Sequence, residues 1–225
     1  MHFKKNWWKY SAVVLVLFAL IGGLLIPIPR LAILNESIRN LFYHVTMWFA
    51  MMILMTASVV YSIRHLHRFN PADDAGARIT AEVGIFMGVL GLATGSVWAK
   101  FTWGAFWVND PKLNGAAVTV LAYLAYMILR SSLPEQQQRG RISAVYNIFA
   151  YVLLIVFLLI LPRMTDSLHP GSGGNPAFSQ YDLDDTMRKV FYPAVIGWTL
   201  LAAWICSLKY RLHKINLAHE DALRN

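Results

Sequence analysis

Two histidines and a run of tryptophans are the residues of this chain best suited to chemistry. His44 stands near one end of a long uncharged stretch, and His169 lies in Ser167-Leu168-His169-Pro170-Gly171. An imidazole close to the edge of an apolar span is costly without a partner, so His44 either hydrogen-bonds a neighbouring helix backbone or holds a ligand. On a helix, His44, Trp48 and Met51 share one face at i, i+4 and i+7. The segment from Trp98 to Lys112 opens with three Trp and two Phe in ten residues. An interfacial aromatic belt would also supply rings. A belt requires neither Gly104 between aromatic residues nor Asp110-Pro111 after them. Indoles on a short turn make a platform for a flat, polarizable ligand, and Lys100 and Lys112 offer cations to carboxylates on its rim.

Haem fits that set. Its iron takes two axial nitrogens, its ring stacks on aromatics, and its propionates call for Lys or Arg. A bare metal ion would need more than two such ligands. The single cysteine, Cys206, excludes an intramolecular disulfide, a Cys-x-x-Cys pair and a Cys-x-x-Cys-His attachment site, so the chain is not itself a c-type cytochrome.

The elements that must position these residues follow from hydropathy. Of 225 residues, 57% are hydrophobic and 14% charged, where soluble domains carry roughly 25% charge. Six uncharged runs stand out: Tyr10–Pro29, Asn40–Ile63, Val83–Ala99, Leu113–Leu129, Ile142–Pro162 and Val190–Leu208. Each reaches the roughly 17–25 residues that a helix needs to cross the hydrocarbon core. Continuous runs lack the alternation of a β-barrel. The expectation is an all-α polytopic membrane protein, one domain over 1–225 with six transmembrane helices. The first run follows Lys4, Lys5 and Lys9, yet it exceeds a signal peptide's apolar core of about 7–15 residues and no small-x-small site follows, so it reads as an uncleaved span.

Charge sets the expected orientation. With the N-terminus inside, thirteen of the twenty Lys and Arg fall in inner segments and seven in outer ones, which places both termini in the cytoplasm. The net charge of +8 is then a topology signal rather than a nucleic-acid footprint. His44, the aromatic loop (about 98–112) and an outer loop (about 163–189) share the outer face. That second loop holds Pro170, Gly171, Gly173, Gly174 and Pro176. An irregular connection of this length is usually functional, and its composition would let His169 swing. His2, His65, His67, His213 and His219 fall inside and are expected to be solvated. Gly84, Gly88, Gly91 and Gly95 lie along one face of the third span. Small residues at that spacing let helices approach closely, here to position Trp98 and Trp103.

The stretch Trp103-Gly104-Ala105-Phe106-Trp107-Val108-Asn109-Asp110 resembles the tryptophan-rich signature of the WWD family of haem-handling proteins. Gly95-Ser96-Val97-Trp98, Tyr43-His44-Val45 and Leu168-His169 fall where the CcmC branch of that family has them, and the resemblance runs from about Asn40 to the last span. It implies a haem-binding and transfer protein, not a catalyst of bond chemistry, at the outer face of the bacterial inner membrane. It makes His44 and His169 the axial ligands of haem b. It gives Trp98, Trp103, Gly104, Phe106, Trp107, Val108 and Asp110 to the platform, with Lys112 beside them. It implies as partners the haem chaperone CcmE, the ABC-transporter subunits CcmA and CcmB, and the small protein CcmD. The family commonly has Trp where this chain has Phe106 and Asn109, and Arg where it has Lys112. Phe still stacks, Asn removes an aromatic surface, and Lys gives up the planar fork of Arg.

Three other readings compete. A b-type cytochrome would hold haem between histidines on facing spans, whereas His169 is a loop residue. A permease usually places ionisable groups at midplane, and these runs hold no Asp, Glu, Lys or Arg. A cytochrome c synthetase subunit of the related WWD type would attach haem directly to an apocytochrome; the compact six-span chain fits it less well.

Overall fold

The computed structural model describes residues 3–28, 34–169 and 183–224. Pro170, Gly171, Gly173, Gly174 and Pro176, and His2 at the other end, lie outside the described residues. The order is α1 (Phe3–Leu25), a 3-10 turn (Asn35–Asn40), α2 (Leu41–Arg68), α3 (Pro71–Trp103), α4 (Pro111–Ser132), α5 (Gln136–Ile155), a π-turn (Val156–Ile160), α6 (Leu161–Met164) and α7 (Asp185–Arg224). Among the described residues the fold is all-α, and six helical stretches are long and apolar enough to cross a membrane. This is a multi-pass membrane protein.

The helices overrun the uncharged runs because charge at a helix end does not stop the helix if it finds a partner. Arg64 and Asp73 pair at 3.1 Å across the α2–α3 turn. The charged stretch between Arg64 and Arg78 is therefore almost entirely helical, with only Phe69 and Asn70 between α2 and α3. Phe69 takes the left-handed conformation (φ 50°), and its N–H caps α2 on the His65 carbonyl at 2.7 Å. Asn70 then caps α3, accepting from the Ala72 N–H at 2.9 Å ahead of Pro71, the usual opening of a helix. His65, expected to be solvated, is buried, and its Nδ1 donates to the Asn70 carbonyl at 2.9 Å.

At its other end α3 runs through Trp98 to Trp103, so the first part of the aromatic segment is helix and not loop. Gly104 stops it with φ 83° and an N–H bond to the Lys100 carbonyl at 3.1 Å. A left-handed residue at this position is nearly always glycine because it has no Cβ to clash. The non-helical stretch is confined to Gly104–Asp110, after which Asp110 caps α4 ahead of Pro111.

The glycine stripe of α3 lies against α2. A Cβ built on Gly84 would meet Met55 at 2.8 Å, on Gly88 Met51 at 2.6 Å, on Gly91 Trp48 at 2.8 Å and on Gly95 His44 at 2.5 Å. What the stripe positions is thus the His44–Trp48–Met51 face of α2, one step removed from the expected Trp98 and Trp103. Met51, Met55, Met87, Tyr123 and Leu154 fill the core among α2, α3, α4 and α5. A second cluster, with Ile38, Phe42, Met187 and Phe191, anchors the start of α2 to the start of α7. Large apolar side chains such as Leu24, Leu121, Val145 and Ile196 point outward, as a lipid-facing surface requires.

Candidate functional site

His44 enters the site from the first turn of α2. Its Nδ1 lies 2.9 Å from the Gly91 carbonyl and 3.3 Å from the Thr94 hydroxyl. A carbonyl can only accept, so Nδ1 carries the proton and Nε2 keeps its lone pair. The absence of a side chain at Gly95 is what allows the ring this close to α3. Trp48 and Trp98 meet the ring edge-on, with centroids at 6.3 and 5.9 Å. Trp98 is held in turn by its Nε1–H bond to the Ser37 hydroxyl at 3.0 Å.

His169 is oriented from a different direction. Its Nδ1 donates to Asp110 Oδ1 at 3.0 Å, again leaving Nε2 available. Asp110 is buried and accepts from both sides. Oδ1 caps α4 through the Lys112 N–H at 2.9 Å, while Oδ2 receives the Ser167 hydroxyl at 2.9 Å and the Leu168 N–H at 2.7 Å. Burial alone would raise the Asp110 carboxyl. The bonds from His169, Leu168 and Ser167 outweigh it and hold the group well below the usual carboxylate range. One carboxylate therefore ties the α4 N-terminus to the segment carrying His169. Trp103 packs on the His169 ring at 5.0 Å between centroids.

His44 and His169 line a single cleft together with Trp48, Trp98, Trp103 and Trp107. The cleft is a cavity of about 180 Å³, opening onto about 1200 Å³ of empty space when the solvent at its mouth is counted. Lys112 and Arg163 supply positive charge to the lining. Two imidazoles with free Nε2 atoms, four indoles and two cations form a donor set for a planar metal complex with acidic substituents.

The structure thus brings together six of the residues singled out in the sequence: His44, Trp98, Trp103, Trp107, His169 and Lys112. Gly104, Phe106, Val108 and Asp110 stand outside the lining. Gly104 ends α3, and Asp110 acts through His169. Phe106 is 60% exposed and carries Lys100 Nζ 5.8 Å over its ring. Lys100, expected at a carboxylate rim, instead donates to the Gly104 carbonyl at 2.8 Å. Asn109, where family members commonly have Trp, accepts from Asn114 Nδ2 at 2.8 Å, and Asn114 Oδ1 receives the Trp107 indole N–H at 3.3 Å. The asparagine gives up a ring surface and helps to hold the neighbouring one. Arg163 and Thr102 in the lining, and Ser167 behind it, were not picked out from sequence. Arg163 carried a faint signal as a cation six residues before His169.

Fold and site together define a multi-pass membrane protein with a paired-imidazole, tryptophan-lined cleft at one end of its bundle. The CcmC family model, described as heme exporter protein C, matches residues 2–223. The chain belongs to the CcmC family. It is 26% identical over 179 residues to heme exporter protein C of Escherichia coli (strain K12), covering 79% of this chain and 70% of that protein. The corresponding protein of Bradyrhizobium diazoefficiens is 26% identical over 149 residues, 66% of this chain and 56% of its own. A shorter match, 40% identical over 76 residues, links 34% of the chain to 24% of cytochrome c biogenesis protein CcsA of Prochlorococcus marinus.

Proposed function

We propose that this chain binds haem b in the cleft at the outer face of the bacterial inner membrane and presents it to the haem chaperone CcmE during cytochrome c maturation. CcmA, CcmB and CcmD are its partner components. His44 and His169 are the axial ligands through Nε2, the four tryptophans bound the ring, and Lys112 and Arg163 meet the propionates. The observation that carries this reading is the matched treatment of the two imidazoles. Each commits Nδ1 to an internal acceptor, the Gly91 carbonyl and the Asp110 carboxylate, the arrangement that orients a metal-binding histidine and raises its basicity. A histidine serving only as a packed core residue needs no second nitrogen left open toward a cavity.

Haem iron would accept the two imidazole lone pairs; this chain's residues hold, orient and release the haem. His44 stands on a helix fixed by close packing. His169 hangs on one carboxylate and a short segment, so it is the ligand expected to be displaced when the chaperone takes the haem. The test is the visible spectrum of the purified protein beside His44→Ala and His169→Ala. Wild type is expected to show a low-spin six-coordinate spectrum, and each substitution to convert or abolish it. Haem transfer is then read as covalent haem on added CcmE. Spectra indifferent to both substitutions overturn the ligand assignment. Haem appearing on an apocytochrome without the chaperone favours a synthetase instead.

A further inference from the structure

A second cavity opens at the opposite end of the bundle. It is bounded by the early turns of α3 and α5, the last turns of α4 and the distal part of α7, and it shares no residue with the histidine cleft. It is a cavity of about 530 Å³, larger than the histidine cleft. Four cationic side chains, Arg78, Arg130, Arg139 and Lys214, line it against two carboxylates, Asp74 and Glu82. Both carboxylates are already held. Asp74 takes Arg130 in a two-pronged pair at 2.7 and 2.5 Å, while Glu82 takes Arg78 at 2.9 Å and Lys209 at 2.5 Å.

Arg139 and Lys214 are the cations left over. Among the described residues neither has a carboxylate within 4.0 Å. Lys214 Nζ rests 5.0 Å over the Tyr210 ring, and Arg139 Nη1 makes a long contact of 3.4 Å to the Leu133 carbonyl. The first residues of α3 and α5, Pro71 and Gln136, face the same space, where the Asn70 and Glu135 side chains cap the two helix N-termini. Ala75, Met127 and Leu217 give the wall an apolar part, beside the polar Ser131 and His213.

We propose that this cavity binds the phosphate headgroup of an acidic phospholipid, through Arg139 and Lys214, with acyl chain against Met127 and Leu217. Excess positive charge between transmembrane helices selects acidic headgroups. An apolar wall beside it favours an amphiphile, since a free phosphate would leave Met127 and Leu217 without a partner. The site is independent of the haem reading and requires only that the helices span a bilayer.

The experiment uses the full chain purified in mild detergent and exposed to equal phosphatidylglycerol, cardiolipin and phosphatidylcholine, with retained lipid counted by native mass spectrometry. Acidic lipid is expected to be retained at least tenfold over phosphatidylcholine. The double variant Arg139→Gln/Lys214→Gln, which leaves the ion pairs of Asp74 and Glu82 intact, should lose that preference at least fivefold. Arg139→Lys/Lys214→Arg should restore it, and His44→Ala should keep it. Should the double variant fail to fold, as judged by circular dichroism, Lys214→Gln alone is the reporter, with a smaller loss in the same direction. Equal retention of acidic and neutral lipid overturns the proposal, as does an unchanged preference in a folded variant. Binding of inorganic phosphate without retention of acidic lipid overturns the lipid assignment.

Discussion

Replacing Gly95 by Ala places a methyl group 2.5 Å from His44 Cε1 and 3.0 Å from its Nδ1. Carbon atoms pack at about 3.5–4.0 Å, so the imidazole must withdraw by about 1 Å. Its bond to the Gly91 carbonyl is 2.9 Å long, and such a retreat carries it beyond the ~3.2 Å limit of a sound N–H···O bond. Losing the outer partner of a ligating histidine typically costs about 10–100-fold in affinity, or roughly 1.4–2.8 kcal/mol. Fold stability should change less. Overpacking costs about 1–3 kcal/mol, and the helix recovers about 1 kcal/mol when Gly becomes Ala, a net loss of about 0–2 kcal/mol. The assay is a haem titration followed in the Soret band, with spin state read from the visible bands. Gly84→Ala is the control, because its methyl would meet Met55 Cε, the free end of a flexible side chain, at 2.8 Å. It should bind haem as wild type does. If Gly95→Ala also binds haem with unchanged affinity and an unchanged six-coordinate spectrum, the reasoning that the stripe sets the His44 ligand fails.

Asp110→Asn keeps a capping side chain but replaces one acceptor oxygen by a donor and removes the charge facing His169; haem affinity should fall about 10–100-fold, measured by the same titration. The Asp110 carboxyl is held below its usual range in the folded protein. A depressed folded value adds stability that is complete above the unfolded pKa of about 3.9 and is lost as pH falls below it. Unfolding of the haem-free protein, followed by tryptophan fluorescence, should therefore lose stability below about pH 4, and Asp110→Asn should flatten that acid limb; identical limbs would count against the assignment. Arg130→Ala strands Asp74 at a site where both side chains are nearly buried, so thermal or denaturant unfolding should show a loss of about 3–5 kcal/mol. Gly104→Ala meets no atom within 4 Å but must adopt φ 83°, and should cost about 1–2 kcal/mol through the backbone alone.

The span count and the two histidines that line the cleft were legible in the sequence because they rest on composition. An uncharged run long enough to cross lipid has little choice but to be a helix, and an imidazole in such a run must be partnered. The aromatic loop, expected from about residue 98, begins only at Gly104, where α3 ends, and closes at Asp110, the cap of α4. Helix length was less legible. The charged ends around Arg64, Asp73, Asp74 and Arg130 are helical because they pair with residues that hydropathy cannot match to them. The direction of the glycine stripe also depended on which neighbour α3 selects, since a small-residue face accepts any helix of complementary shape. The nitrogen that each histidine offers was decided by packing alone. Gly91 is 47 residues from His44 and Asp110 is 59 from His169, and only the folded chain sets a carbonyl against one ring and a carboxylate against the other.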